Sequence, residues 1–163
     1  MSYPAHFCRR IAVIILALWI QPALGQEATI IKFDALQKIL HTESNQIQVI
    51  NFWATWCAPC VKELPLLENL NAQKNLNVKI TLVSLDFSEK VDHVNAFIKR
   101  KNIRSEVLLL DEIDYNSWIN KVDKRWSGAI PATLILNPRT KQRKFLEKGL
   151  KEGELENLIA DLR

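Results

Sequence analysis

The sequence predicts an α/β domain with a central mixed sheet flanked by helices. Two observations carry this prediction. Short apolar runs rich in β-branched residues alternate along most of the chain with segments whose apolar residues recur at helical spacing, a pattern typical of parallel strands joined by right-handed crossover helices. Towards the end, two strand-like runs flank the turn sequence Pro-Arg-Thr-Lys at residues 138–141, which indicates an antiparallel hairpin.

The first half of the chain holds two predicted strand–helix pairs. Residues 29–33 form a short edge strand, and Asp34 is expected to cap the helix that follows. Residues 47–53 are dense in β-branched and aromatic side chains with little alternation, which favours a strand buried on both faces. A helix begins at Pro59, where proline is tolerated in the first turn, and Pro65 is expected to kink it.

The second half repeats the alternation of strands and helices. A nearly continuous apolar run predicts a second buried strand, and apolar residues at helical spacing predict the helix after it. The predicted segments are a strand at 78–86, a helix from Ser88, a strand at 106–110, a short helix at 115–122, hairpin strands at 132–137 and 142–147, and a closing helix at 153–163.

The N-terminus has the pattern of a secretory signal. Arg9 and Arg10 precede a wholly apolar run at 11–20, and small side chains precede an expected cut after Gly25. We therefore expect residues 1–25 to be a cleaved signal peptide and 26–163 to be the mature domain, periplasmic or otherwise exported.

Two membrane-attached alternatives to cleavage are less favoured. A retained anchor would need roughly 20 apolar residues to span a bilayer, and this run is about half that long. A lipoprotein signal needs its cysteine immediately after the apolar run, whereas Cys8 precedes it.

The charge balance gives no indication of a nucleic-acid partner. Without its two signal arginines the chain has 20 basic and 18 acidic residues, a net charge of +2. The basic residues are spread out and not interleaved with aromatic ones, so the electrostatic footprint of a nucleic-acid-binding surface is missing.

The chemistry of the chain is expected at Cys57 and Cys60, the two cysteines that remain after cleavage. A disulfide that closes so short a loop contributes little stability, so the pair is more plausible as a reactive site than as a structural one. Because a helix begins at the first cysteine, its free amide groups favour negative charge there. We expect an exposed Cys57 thiolate to attack a disulfide, with Cys60 one turn away resolving the mixed disulfide.

The same spacing could instead form half of a zinc site. A structural zinc site needs four ligands, and the mature chain offers only His41 and His93, both far away in sequence. We expect no metal and no other cofactor.

Three motifs give the chain a resemblance to a known family. They are Phe-Trp-Ala-x-Trp-Cys-x-Pro-Cys at residues 52–60, Glu63 followed by Pro65, and Ile-Pro-Ala-Thr at 130–133. Together they resemble thioredoxin-like proteins, and among them the exported TlpA/ResA-type disulfide reductases. The resemblance covers residues 47–163 and implies a thioredoxin fold with an insertion before a cis-proline.

The resemblance also implies roles around the cysteines. Pro131 is expected to follow a cis bond beside the cysteines, with the Ile130 backbone pairing with an extended client segment. The alternative from sequence alone is an ordinary trans proline at the start of a strand. Trp56, Ala58 and Pro59 are the other expected client-binding residues.

Glu63 is expected to be a partly buried carboxylate that tunes the cysteines and assists proton transfer. The alternative for Glu63 is a solvated helix residue. Cytoplasmic thioredoxins carry a buried aspartate where this chain has Asn51, and an asparagine cannot act as a base. Of the other tryptophans, Trp53, Trp118 and Trp126 are expected to pack in the core.

The function implied is reduction of disulfides in exported client proteins, with re-reduction by a membrane electron donor; related proteins serve cytochrome c maturation. Three alternatives remain at this point: an oxidant working in the opposite direction, a metal- or copper-binding module, and a peroxidase. The protein is expected to be a monomer.

Overall fold

The computed structural model describes residues 26–163, and the expected signal peptide lies outside them. Six strands form a single sheet: β1 (Thr29–Ile31), β2 (Ile47–Trp53), β3 (Val78–Ser84), β4 (Glu106–Leu110), β5 (Ala132–Asn137) and β6 (Gln142–Leu146). The five α-helices are α1 (Phe33–His41), α2 (Ala58–Ala72), α3 (Val91–Lys101), α4 (Ile119–Val122) and α5 (Glu154–Ala160).

The sheet is mixed, with strand order β1-β4-β3-β2-β5-β6. The first four strands in that order are parallel, and β5 runs antiparallel to both β2 and β6. This confirms the predicted hairpin and the α/β, thioredoxin-like architecture. Strand β1 is the predicted edge strand, although it ends at Ile31, two residues earlier than expected.

Strand β2 occupies the centre of the sheet. It pairs with β3 from Ile47 to Trp53 and with β5 on its other side. All seven of its residues are buried, because both faces of the sheet are covered by helices. The predicted bounds of β2 and β4 are those observed.

The predicted cap of helix α1 is wrong. The N-cap residue is Lys32, whose own side chain makes no capping hydrogen bond. The first amide of the helix, that of Phe33, instead donates to Glu112 Oε1 at 3.1 Å. Asp34 lies in the first turn, where its charge complements the positive end of the helix.

Two other helices differ from their predicted starts. The helix expected from Ser88 opens as a 3₁₀ turn over Ser88–Lys90 before α3 begins. The segment at 115–122 divides into a 3₁₀ turn, Tyr115–Ser117, and the single turn of α4. Pro65 lies inside α2, as expected.

Two hydrophobic clusters cover the two faces of the sheet. One contains apolar residues from α2, α3 and α5, and the other contains residues from α1 and α4. Trp53 lies in the first cluster, whereas Trp118 and Trp126 lie in the second, where they contact each other with ring centroids 5.5 Å apart. The assignment of these three tryptophans to packing is confirmed.

None of the helices within residues 26–163 combines the length and the apolar character needed to cross a bilayer.

Trp118 gives a test of this packing. It is fully buried against Phe33, Phe52 and Trp126, so Trp118→Ala should lower the free energy of unfolding by about 3–5 kcal/mol. The indole N–H has no hydrogen-bond partner in the described chain. Trp118→Phe should therefore cost less than half as much, since it keeps an aromatic ring and removes an unpaired buried donor.

Urea unfolding of the two variants measures both effects. Trp56→Ala is the matched control, because that side chain is 68% exposed and its loss should leave stability nearly unchanged. An equal cost for the alanine substitutions at positions 118 and 56 would contradict the assignment.

Candidate active site

The two cysteines lie where strand β2 meets helix α2. Cys57 is the N-cap residue of α2, and its Sγ accepts the amide N–H of Cys60 at 3.3 Å. Pro59 occupies the first turn, where its lack of an N–H costs nothing. The two sulfurs are bonded, 1.99 Å apart, so the structure holds the oxidised form of the pair. Oxidation thus leaves the helix start intact.

Cys57 is less accessible than the sequence suggested. It is only 5% exposed, and Cys60 is fully buried. The expected exposed sulfur is therefore wrong for the oxidised form. The reason is tertiary: Cys57 Sγ lies 3.8 Å from the carbonyl oxygen of Ile130, which belongs to a loop 73 residues further along the chain.

The loop beside the cysteines contains a cis peptide bond between Ile130 and Pro131, as the resemblance implied. Pro131 is buried and Ile130 is half-buried. In the disulfide form Cys57 has no thiol hydrogen, so its approach to the Ile130 carbonyl is a contact. After reduction, a thiol at this position has a hydrogen-bond acceptor in front of it.

The surface around the disulfide is partly apolar. Ala58 and Pro59 are exposed at the start of α2, and Trp56 is 68% exposed. Trp56 and Ile130 line a cavity of about 310 Å³ together with residues of the 115–119 segment and the loop before Pro131. Of the expected client-binding residues, Trp56 and Ile130 line this cavity, whereas Pro131 is buried.

Glu63 is buried, with 2% of its surface exposed. Its Oε1 accepts Asn51 Nδ2 at 2.8 Å, and its Oε2 accepts the backbone N–H of Leu150 at 2.6 Å. The Asn51 amide also donates to Thr133 Oγ1 at 3.0 Å. The solvated alternative for Glu63 is thus excluded, and Asn51 acts as a buried donor.

Burial changes the acidity of Glu63. Desolvation raises the pKa of its carboxyl above the ordinary value, and the hydrogen bonds from Leu150 and Asn51 offset only part of this effect. Glu63 lies three residues after Cys60 on α2, so the two side chains occupy neighbouring positions on the helix surface.

Asp86 is a positioning residue that the sequence analysis missed. It is buried two residues after the end of β3. Its carboxylate accepts the backbone N–H and the hydroxyl of Thr55 at 2.9 and 2.6 Å. Ser84 Oγ also donates to it, at 2.7 Å. These bonds hold the segment immediately before Trp56. The available signal was the position of Asp86 after a buried parallel strand, where functional residues collect.

Metal ligands do not collect around the pair. Within residues 26–163 no group of three or more histidine, cysteine or acidic side chains lies close enough together to hold a metal ion.

Comparison with known proteins places the chain in a family. The family model described as Redoxin matches residues 35–141, which include the disulfide and the cis-proline. The chain belongs to the Redoxin family.

Individual relatives agree with this assignment. The chain is 32% identical over 115 residues to the thiol-disulfide oxidoreductase ResA of Oceanobacillus iheyensis, an alignment that covers 70% of this chain and 56% of that protein. The chain thus spans little more than half of that relative.

Solved structures show the same fold. A thioredoxin-related protein from Neisseria meningitidis serogroup B superposes with a TM-score of 0.63 at 23% identity, covering 74% of this chain and 87% of that one. A secreted thiol-disulfide isomerase from Corynebacterium glutamicum superposes with a TM-score of 0.58 at 19% identity, covering 73% and 71%.

The raised pKa of Glu63 predicts a pH dependence of stability. The folded state holds the Glu63 proton at pH values where the unfolded chain has lost it, so stability from this group is full below pH 4.5 and is lost as pH rises through the folded-state pKa. The free energy of unfolding of the wild type should therefore fall relative to that of Glu63→Gln as pH rises through that window.

Urea unfolding of both proteins from pH 4 upwards, with the disulfide intact, measures this difference. Glu156→Gln on the exposed side of α5 is the control and should follow the wild-type curve. A constant difference between wild type and Glu63→Gln across the range would show that Glu63 is not a destabilised carboxylate.

Proposed function

We propose that this protein is a thiol–disulfide oxidoreductase that reduces disulfides in exported client proteins. The observation that carries the proposal is the Cys57–Cys60 disulfide at the start of α2, beside a partly apolar exposed surface. A bond at this position can open and close with little backbone movement.

The reaction uses the two sulfurs in turn. In the reduced protein the Cys57 thiolate attacks one sulfur of a client disulfide, which forms a mixed disulfide and releases one client thiolate. The Cys60 thiolate then attacks Cys57 Sγ, and the second client thiolate leaves. Two electrons pass to the client, and the protein is left in the disulfide form observed here.

Glu63 serves the second step in this proposal. Cys60 is fully buried, so its thiol needs a base within the protein to lose its proton. Asn51 cannot act as one, whereas Glu63 is a buried carboxylate on the same helix with a raised pKa. A carboxylate with a pKa closer to neutrality is a better proton acceptor for a thiol.

Client binding is assigned to the surface around Cys57. Trp56, Ala58 and Pro59 offer exposed apolar contacts. Beside Pro131, the backbone of Ile130 offers hydrogen-bonding groups to an extended client segment. The supporting contact is the 3.8 Å approach of the Ile130 carbonyl to Cys57 Sγ.

Export, the electron donor and the pathway belong to the same proposal. The apolar run after Arg10 supports a cleaved signal at residues 1–25. A periplasmic protein of this kind needs a membrane electron donor to regain its dithiol, and cytochrome c maturation is the proposed setting. We propose that it acts as a monomer.

Cysteine variants test the two-step reaction. Cys57→Ser should abolish reduction of insulin, because the nucleophile is lost. Cys60→Ser should accumulate a mixed disulfide, since the resolving thiol is absent. The measurement is non-reducing electrophoresis after incubation with insulin, with the double variant Cys57→Ser/Cys60→Ser as the control that traps nothing. Retained activity in Cys57→Ser, or zinc or copper bound to the purified wild type, would contradict the assignment.

The direction of electron flow has its own measurement. Equilibration of the Cys57–Cys60 pair with glutathione buffers gives its reduction potential. A reductase is expected to lie towards the value of about −270 mV found for thioredoxin. A value near −120 mV, as in strongly oxidising relatives, would favour the alternative of a disulfide-forming oxidant.

A further inference from the structure

The loop at residues 127–130, which leads into Pro131, is held mainly by one distant side chain. Within residues 26–163, none of its amides donates to a backbone carbonyl and none of its carbonyls accepts a backbone amide. Glu147, one residue beyond the end of β6, supplies the missing partner. Its Oε1 accepts the backbone N–H of Ser127 at 3.1 Å and that of Ala129 at 3.0 Å, and the Ser127 hydroxyl also donates to it.

Two further contacts fix the rest of this loop. The indole N–H of Trp126 donates to the carbonyl of Ala129 at 2.8 Å. Gly128 has a φ of +98°, and a Cβ there would lie 3.0 Å from Ile119 Cδ1. The loop is therefore packed against α4, and the amides of Ser127 and Ala129 are directed at Glu147.

The position of this loop matters for the disulfide. Its last residue, Ile130, places a carbonyl oxygen 3.8 Å from Cys57 Sγ. Ser127, Gly128 and Ile130 line one side of the cavity that Trp56 also lines. A displaced loop would move the backbone that a client is proposed to pair with.

We propose that Glu147 is a positioning residue for client recognition: it holds the 127–130 loop so that the Ile130 backbone is presented next to Cys57. This inference rests on the proposed function. Glu147 lies outside the three sequence motifs, and its proposed role is to position the surface that the client contacts.

The electrostatics of Glu147 agree with this role. Desolvation raises the pKa of its carboxyl, but the hydrogen bonds from Ser127 and Ala129 outweigh that effect and hold the pKa below its ordinary value. In the described chain Glu147 makes no ion pair, unlike its neighbour Lys148, which pairs with Glu154 at 2.5 Å. The loop amides are therefore the partners of its charge.

Two substitutions separate the acceptor from the charge. Glu147→Ala removes the acceptor altogether. Glu147→Gln keeps a carbonyl oxygen at the Oε1 position, where all three loop donors converge. It loses the charge and the longer, 3.3 Å contact of the Ser127 amide with Oε2. Glu152→Ala is the control, because Glu152 is an exposed glutamate five residues away with no described hydrogen bond.

The test compares a protein disulfide with a small one. With insulin as substrate and dithiothreitol as reductant, Glu147→Ala should raise KM about three- to tenfold, the range that corresponds to the net contribution of an ordinary hydrogen bond. The maximal rate should change less than twofold. Reaction of the reduced variants with a small aromatic disulfide, which needs no backbone pairing, should keep the wild-type rate. Glu147→Gln should recover most of the wild-type KM.

A double-mutant cycle tests whether Glu147 affects KM through the 127–130 loop. If Glu147 acts through the loop, Ser127→Ala and Glu147→Ala should have effects on KM that fall short of additive when combined. Thermal unfolding confirms that each variant is folded.

Several outcomes would overturn the inference. They are an unchanged KM in folded Glu147→Ala, a parallel loss with the small disulfide, additive effects of the two alanine substitutions, and an equal KM increase in Glu147→Gln and Glu147→Ala. A wild type inert towards insulin would remove the proposed function as well, whereas an active wild type with an unaffected Glu147→Ala would remove only this inference.

Discussion

The burial of strand β2 on both faces is the constraint on which the site depends. All seven of its residues are buried between β3 and β5, so a slip of one residue would exchange every side chain between the two cores. The last residue, Trp53, is fixed in turn because its carbonyl accepts the amide of Leu85 at 2.8 Å. The start of α2, and with it Cys57, then has little freedom of position.

The same burial explains which parts of the fold the sequence could predict. A strand covered on both faces is predominantly apolar, as β2 is apart from Gln48 and Asn51, and β2 and β4 could be predicted to their end residues. The cap of α1 could not, because the Phe33 amide is satisfied by Glu112, a residue 79 positions away. Local sequence indicates only neighbouring residues as caps, whereas this amide is satisfied by a tertiary contact.

The features of the site also divide into those that the sequence could predict and those that depend on tertiary contacts. The cysteine pair follows from spacing alone, and the place of Pro131 follows from a family resemblance. Neither indicates that Cys57 is 5% exposed, because that depends on the Ile130 carbonyl. Asn51 and Glu63 were both identified in the sequence, but their 2.8 Å hydrogen bond joins strand β2 to helix α2. The sequence pattern does not tell which residues of a strand and a helix face each other.

Three carboxylates near the disulfide are distinguished by the donors around them. Asp86 accepts hydrogen bonds from Thr55 and Ser84, and it fixes the chain before the first cysteine. Glu147 accepts loop amides and retains its charge. The hydrogen bonds of both carboxylates thus fix the positions of neighbouring chain segments.

Glu63 differs from Glu147 because it is buried with only two donors, too few to offset its desolvation, so the pKa of its carboxyl is raised whereas that of Glu147 is lowered. A carboxylate whose charge is fully compensated gains nothing by taking up a proton, whereas an undercompensated one does. The difference that supports the proposed role of Glu63 in proton transfer is thus set by its surroundings, since Glu63 and Glu147 carry the same functional group. The proposed proton transfer by Glu63 and the proposed loop positioning by Glu147 can then coexist, because the two carboxylates have different sets of donors.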